Sequence, residues 1–485
     1  MNNNAIAKAP IAGKALALAI VAAVAAISGC TVGPDYKRPS LDLPASYSLA
    51  ATSAIPATVT ANWWSVFKDP VLDRLMDEAL ANNLDLVVAA TRVLEAQAQL
   101  GLATSDQIPT AYATGSRERN RNSAASGRSA PGQPLETTTN RIALNVSYEI
   151  DFWGKYRRST EAARADLLSV EANRDALRLS MTTQAVQGYF NLLGLDAQIV
   201  VGLEGIRRGK EGLSMQKKRF DAGVISEYDY EQRSAELDAG LAQLPPLESQ
   251  RGKQERALAV ILGRSPRAVM QAKVDRSAPS APVDPMVAPS GLPSELLLNR
   301  PDLREAEQKL IAANARIGVA RAAYFPLISL TGLFGSESSA LGDLFSGPAR
   351  IWNFAGNITQ PLWGAGRLNR QVDGAEARAE GAVAQYRVAI ANAFREVQDA
   401  IDAQRAAGEV RDIETRRVES LTKTWNLAKL RYENGAASQL DVIDAERGLL
   451  QAEQSRIEAE RLFRFAIAEL YKALGGSNAS PKITS

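Results

Sequence analysis

The chain has 485 residues, 46% of them hydrophobic, with 56 Lys and Arg against 54 Asp and Glu, a single cysteine and no histidine. Lacking histidine, it lacks the commonest general base and metal ligand, and one cysteine excludes an intramolecular disulfide or a cysteine cluster. The formal +2 lies in residues 1–29, which hold Lys8, Lys14 and no acid, so 2 − 2 leaves about zero for the remainder, without the basic footprint that nucleic-acid binding needs.

Lys8 and Lys14 precede an apolar run over 15–27 that is too short for a permanent bilayer span, the pattern of an export signal over residues 1–29. It ends in Ile27-Ser28-Gly29-Cys30, which resembles the lipobox of bacterial lipoproteins, where cleavage leaves the cysteine first and lipid-modified. Thr31, not aspartate, follows Cys30; in that resemblance this favours sorting to the outer membrane. The other reading is an ordinary signal peptide with an incidental cysteine. No later window offers eighteen uninterrupted apolar residues, so a crossing of the membrane would have to be made as a β-barrel. Residues 30–62, with Pro34, Pro39, Pro44 and Pro56, form an extended segment with little core character.

Cys30 to Pro39 (CTVGPDYKRP), followed by Trp63 to Pro70 (WWSVFKDP), resembles the opening of the lipoprotein branch of TolC-like outer-membrane efflux channels, and the match continues through nearly the whole mature chain. Those proteins are the outermost part of tripartite pumps of the resistance–nodulation–division type. The resemblance implies a homotrimer in outer-membrane lipid, with a periplasmic adaptor and an inner-membrane pump as partners. The sequence itself offers no nucleophile–base set or metal-ligand cluster, so neither an enzyme nor a cofactor is expected.

The first half, 63–263, has the order helix, strand, loop, strand, long helix, turn, helix. Pro109 stops its first helical run. In 141–152, Ile142, Leu144, Val146, Tyr148, Ile150 and Phe152 alternate with Arg141, Ala143, Asn145, Ser147, Glu149 and Asp151, a strand with one apolar and one polar face. From about 155 to 222 a long helix is expected. Leu179, Thr183, Val186, Phe190, Leu193, Ala197 and Val200 recur at gaps of four and three, as a coiled-coil seam does, and such a helix would run roughly 100 Å. Gly188, Gly194, Gly202, Gly205, Gly209 and Gly212 each cost about 1 kcal/mol there; they either permit close helix packing or mark a bend. Pro245-Pro246 is expected to break the returning helix.

A proline- and serine-rich linker over 264–293 joins this to a second half, 294–476, with 477–485 as a tail. The halves are copies. LANNLD at 80–85 matches LLNRPD at 297–302, Gly101 falls on Gly318 and Pro109 on Pro326, and from Lys155 against Arg367 onward the offset is 212. Ile328, Leu330 and Phe334, then Trp352, Phe354 and Ile358 against Asn353, Asn357 and Thr359, repeat the alternation less strictly. Four strands cannot close a barrel, and open edges are not tolerated in lipid. Three chains would supply twelve, an even number in the usual range; the trimer itself is what the resemblance implies. The expected fold class is α+β, internally duplicated: a trimeric twelve-stranded transmembrane β-barrel continued by a long periplasmic α-helical coiled-coil barrel.

The hairpin turns are twins. Arg219, Gly223, Ser226 and Asp229 fall on Arg431, Gly435, Ser438 and Asp441. In each, a helix ends at a glycine suited to positive φ, and three residues on a serine can cap the next helix, with an aspartate completing a capping box. In the resembling family the second hairpin closes the periplasmic end of the pore with a leucine ring and an aspartate ring, an arginine nearby holding the closed state. The matching residues are Leu440, Asp444 and Arg447, with Asp441 a further acid on the same turn. Arg219, Gly223, Ser226, Arg431, Gly435 and Ser438 would be the tips on which the adaptor docks. Two other readings are a duct for protein secretion, against which the lipobox and Trp63-Trp64 weigh, and a non-conducting coiled-coil lipoprotein, which would not need the alternating strand.

Overall fold

The computed structural model describes residues 31–40, 62–126, 134–271, 273–277 and 300–476. The export segment, Cys30, most of the extended segment, residues 278–293 of the join and the tail lie outside the described residues. In chain order the helices are α1 (Pro70–Asn82) and α2 (Leu84–Ser105); then strands β1 (Thr110–Arg121) and β2 (Glu136–Glu149); then α3 (Lys155–Asp221), α4 (Glu227–Ile261) and the short α5 (Pro266–Gln271). The second half gives α6 (Pro301–Ala322), β3 (Leu327–Ser338), β4 (Arg350–Thr359), α7 (Ala365–Glu433) and α8 (Gln439–Ala473). The long helices have 67 and 69 residues and the returning helices 35 each, so the duplication persists in element lengths. The chain forms two compact units, each drawn from both halves.

One unit comprises residues 1–40, 94–169 and 306–386. Its antiparallel sheet has the order β1-β2-β3-β4. In register, Leu144 faces Phe334, which faces Trp352; Val146 faces Gly332, which faces Phe354. These side chains share one face, and that face is open: Phe334, Trp352, Phe354 and Ile358 are 61–74% exposed. In water this would forgo about 1.5–3 kcal/mol per side chain, so the band calls for an apolar environment. Among the described residues β1 and β4 each pair on one side only, leaving two free edges. The alternating strand differs from expectation at both ends, running 136–149 instead of 141–152. Asp151 ends it: its carboxylate accepts the backbone N–H groups of Tyr156 (3.1 Å) and Arg157 (2.8 Å) and starts α3.

Residues 31–40 lie on this unit as a strap. The Val32 N–H bonds the Trp153 carbonyl at 3.1 Å, Asn314 Nδ2 donates to the Pro34 carbonyl at 2.8 Å, and Arg158 pairs with Asp35 at 2.6 Å. Arg38 grips Glu307 through two bonds of 2.7 Å.

The other unit comprises residues 41–93, 170–305 and 387–485. Its core explains the WWSVFKDP stretch. Trp63, Trp64 and Phe67 are buried among Met76, Tyr189, Phe190, Leu258, Phe463 and Ile467, with Phe67 against Phe190 at 4.6 Å between rings and Trp63 stacked on Tyr471 at 5.3 Å. Asp69 is buried and caps α1, accepting from the Val71 and Leu72 N–H groups at 2.9 and 3.1 Å. Its second oxygen accepts from Tyr189 at 2.8 Å and from Ser277 at 2.6 Å. Burial opposes ionisation, but the bonds from Ser277, Leu72, Tyr189 and Val71 outweigh it and hold this carboxyl below its ordinary value. The start of the join is therefore more than a surface linker: α5 forms, Val274 enters the core and Ser277 binds Asp69.

Three sequence expectations about the helices are corrected or resolved. Pro245 and Pro246 do not break α4, which runs through them. The carbonyls they leave without an i+4 donor belong to Leu241 and Ala242, on an exposed stretch where water can serve them. The seam of α3 follows the expected positions from Thr183 to Phe190 but then drifts, with Ile199 buried and Val200 65% exposed. The α3 glycines serve close packing. A Cβ at Gly188 would lie 3.1 Å from Gln254, at Gly194 3.3 Å from Arg461, at Gly205 3.4 Å from Leu450 and at Gly209 3.2 Å from Leu237; only Gly202 of the six faces open space.

Candidate functional site

Both hairpin turns have the local geometry their sequences dictate. Gly223 and Gly435 take φ of 68° and 70°. The Val224 N–H bonds the Arg219 carbonyl (2.9 Å) while the Gly223 N–H bonds Phe220 (2.9 Å), and Ala436 to Arg431 (2.8 Å) with Gly435 to Tyr432 (3.0 Å) repeats the pattern. These paired bonds are Schellman motifs, which satisfy the last carbonyls of each long helix. Ser226 and Ser438 then cap α4 and α8, each in a full capping box with Asp229 or Asp441.

That geometry gives Asp441 a structural task. Its carboxylate accepts from the Ser438 N–H and hydroxyl, both at 2.8 Å, and the Ser438 bonds hold it below the ordinary aspartate value. In the twin, the Asp229 carboxylate accepts from the Ser226 N–H at 3.2 Å and hydroxyl at 2.7 Å. Leu440 and Asp444 differ: they lie one turn apart on α8 and are exposed, at 48% and, for the Asp444 side chain, 61%. Arg447 reaches back to the first hairpin, donating from Nε to Glu236 of α4 at 2.8 Å, with Asp444 3.8 Å away. The bond from Arg447 keeps the Glu236 carboxyl below its usual range.

The structure adds residues the sequence did not single out. Tyr432 is a hub: its hydroxyl accepts from Gln216 Nε2 at 2.8 Å and from Arg219, whose guanidinium lies over the Tyr432 ring at 5.3 Å. Arg219 is thus engaged within the chain, whereas Gly223, Ser226, Arg431, Gly435 and Ser438 are exposed at the turns. Gln439 Nε2 bonds the Asp229 carbonyl at 3.3 Å. Arg233 of α4 pairs with Glu446 of α8 at 2.9 Å, beside the Arg447–Glu236 pair. One signal was available for these four charges. At the offset of 212, Arg233 falls on Ala445, Glu236 on Gly448, Glu446 on Ser234 and Arg447 on Ala235, so each is a place where one copy carries charge and the other does not.

An open amphipathic sheet with two free edges, in a chain with twin helical hairpins, defines a class: outer-membrane channels that complete a barrel between copies. The outer membrane efflux protein family matches residues 75–264 and 292–476, and the chain belongs to this family. The cation efflux system protein CusC of Escherichia coli is 33% identical over 454 residues, covering 93% of this chain and 96% of CusC. The probable outer membrane lipoprotein SilC of Salmonella typhimurium is 31% identical over 465 residues, covering 95% and 98%. The crystal structure of the Campylobacter jejuni CmeC outer membrane channel superposes with a TM-score of 0.88 at 28% identity, covering 92% of this chain and 95% of CmeC.

The protein is therefore an outer-membrane efflux channel, not an enzyme. Its fold class is the family's: α+β, duplicated, with four strands per chain for a trimeric transmembrane β-barrel and long helices for a helical barrel.

Proposed function

We propose that this chain is the passive exit duct of a tripartite efflux pump, closed at its hairpin end and opened when a periplasmic adaptor and an inner-membrane pump engage it. Cleavage after residue 29 would leave Cys30 to carry the lipid, with 63–263 and 294–476 as the two structural repeats. Leu440 and Asp444 would form an apolar ring and an acidic ring around the shared axis, since residues at i and i+4 share a helix face and acidic rings favour cations. Arg447 would hold the ring-bearing helix through Glu236, and the exposed turn residues, above all Arg431, Gly435 and Ser438, would meet the adaptor. Asp441 supports this arrangement as a cap.

The observation that carries the reading is the contrast along one helix. Leu440 and Asp444 are exposed, with Asp444 only at the 3.8 Å edge of Arg447, while Arg447, one turn on, is tied through Glu236 to the other hairpin of the same chain. Single-channel recording in planar bilayers tests it: Asp444→Ala is expected to raise conductance or reduce cation preference. Wild-type conductance and selectivity in that variant would remove Asp444 from the gate.

A further inference from the structure

Gly212 sits in the interior of α3, where glycine weakens a helix, and the structure gives the reason it is there. A Cβ at this position would lie 2.5 Å from Arg233 Nη2, 2.7 Å from its Nε and 2.9 Å from its Cζ. The guanidinium of Arg233, from α4, therefore occupies the space a side chain at this position would take, and any Cβ there would push it aside. From there its Nη2 reaches the Arg208 carbonyl of α3 at 3.4 Å, and its Nη1 binds Glu446 of α8 at 2.9 Å. One cation links three helices.

We infer that Arg233, seated on Gly212 and bound to Glu446, is the pin that fixes the resting position of α8. This rests on the proposed gate only in what the pin would control, because Glu446 lies two residues after Asp444 and next to Arg447. The two neighbouring ion pairs differ in kind. Arg447–Glu236 is open to solvent, with side chains 53% and 25% exposed, and is weakened by salt. Arg233–Glu446, at 7% and 14%, is shielded from it. Among the described residues the Arg233 Nε has no hydrogen-bond partner, and a cavity of about 70 Å³ lined by Arg233, Glu236, Glu446 and Arg447 adjoins it, with room for water. Arg233 is thus a positioning residue that leaves the rings at Leu440 and Asp444 untouched.

The test uses the full-length acylated protein, recorded in planar bilayers and followed by amide hydrogen exchange over residues 440–448. Arg233→Met and Glu446→Gln each break the pair, and Gly212→Ala evicts the guanidinium without altering any charge. Arg233→Met and Glu446→Gln are each expected to raise the open-to-closed ratio on the order of a hundredfold, as losing one partner of a buried pair implies, and Gly212→Ala, which keeps both partners, by less. Each should also speed exchange in 440–448, at low and high salt alike. Gly202→Ala, on the same helix but with nothing within 4 Å of the added carbon, should match wild type in both. The double variant Arg233→Met/Glu446→Gln should be no worse than either single one.

Wild-type exchange in Gly212→Ala and Arg233→Met would overturn the pin, even with Asp444→Ala still altering conductance. Faster exchange in those variants, with Asp444→Ala silent, would keep the pin and remove the gate reading.

Discussion

Asp69 offers the sharpest test of how the efflux channel's second unit is held together. Replacing it with alanine removes an N-cap, worth about 1 kcal/mol, and two hydroxyl bonds to a charged acceptor, worth about 1.5–3 kcal/mol each before relaxation. Tyr189 and Ser277 keep each other as partners, at 3.0 Å, so part of that loss is recovered and about 3–5 kcal/mol remains. Asp69→Asn should lose far less, about 1–2 kcal/mol, because the amide oxygen still caps α1 and the amide N–H groups can donate to the two hydroxyl oxygens. At about 2 °C per kcal/mol for a unit of this size, thermal unfolding in detergent, followed by circular dichroism, should shift by roughly 6–10 °C for alanine and 2–4 °C for asparagine. The sign of the pH dependence follows from the lowered carboxyl value. The ionised form contributes fully above the ordinary carboxylate range, and the contribution is lost as pH falls through the folded value. Wild type and Asp69→Asn should therefore converge in acid. Equal damage from asparagine and alanine would refute the cap-and-hydroxyl account.

Two further outcomes are expected. Trp352→Arg or Leu144→Arg, on the apolar sheet face, should cost about 2–4 kcal/mol at mid-membrane and deplete trimer in outer-membrane fractions, whereas Asn145→Arg on the opposite face should be tolerated; equal losses from both faces would mean the band does not face lipid. Glu236→Gln should differ from wild type in conductance at neutral pH, where the lowered carboxyl is ionised, and match it only once pH falls below the ordinary glutamate range; a difference that persists in acid would separate Glu236 from Arg447.

The parts legible in the sequence were those with local causes. Positive φ at Gly223 and Gly435, the caps at Ser226 and Ser438, and the alternation around Leu144 each follow from a few adjacent residues, and the structure reproduces them. The offset of 212 likewise foretold that each half carries a long helix, a turn and a returning helix. What escaped were contacts between segments distant in sequence. Nothing near Arg233 announces Glu446, 213 positions away, and nothing near Asp69 announces Ser277. The proline pair misled because an interior proline is judged by what replaces its missing bond, and on α4 the surroundings are solvent. The seam of α3 misled beyond Phe190 because a strict 3.5-residue spacing drifts around a helix of 3.6 residues per turn.

The six glycines between 188 and 212 have a consequence for how the molecule comes into being. At about 1 kcal/mol each they leave that stretch of α3 some 6 kcal/mol short of an alanine helix, too weak to persist alone in water. The helix cannot be a prefabricated beam onto which its neighbours are laid. It becomes rigid only as Leu237, Leu450, Arg461 and Gln254 arrive to fill the space the glycines leave. Stiffness in this stalk is a product of its own assembly, and anything that pulls those neighbours away softens the stalk along with the joint.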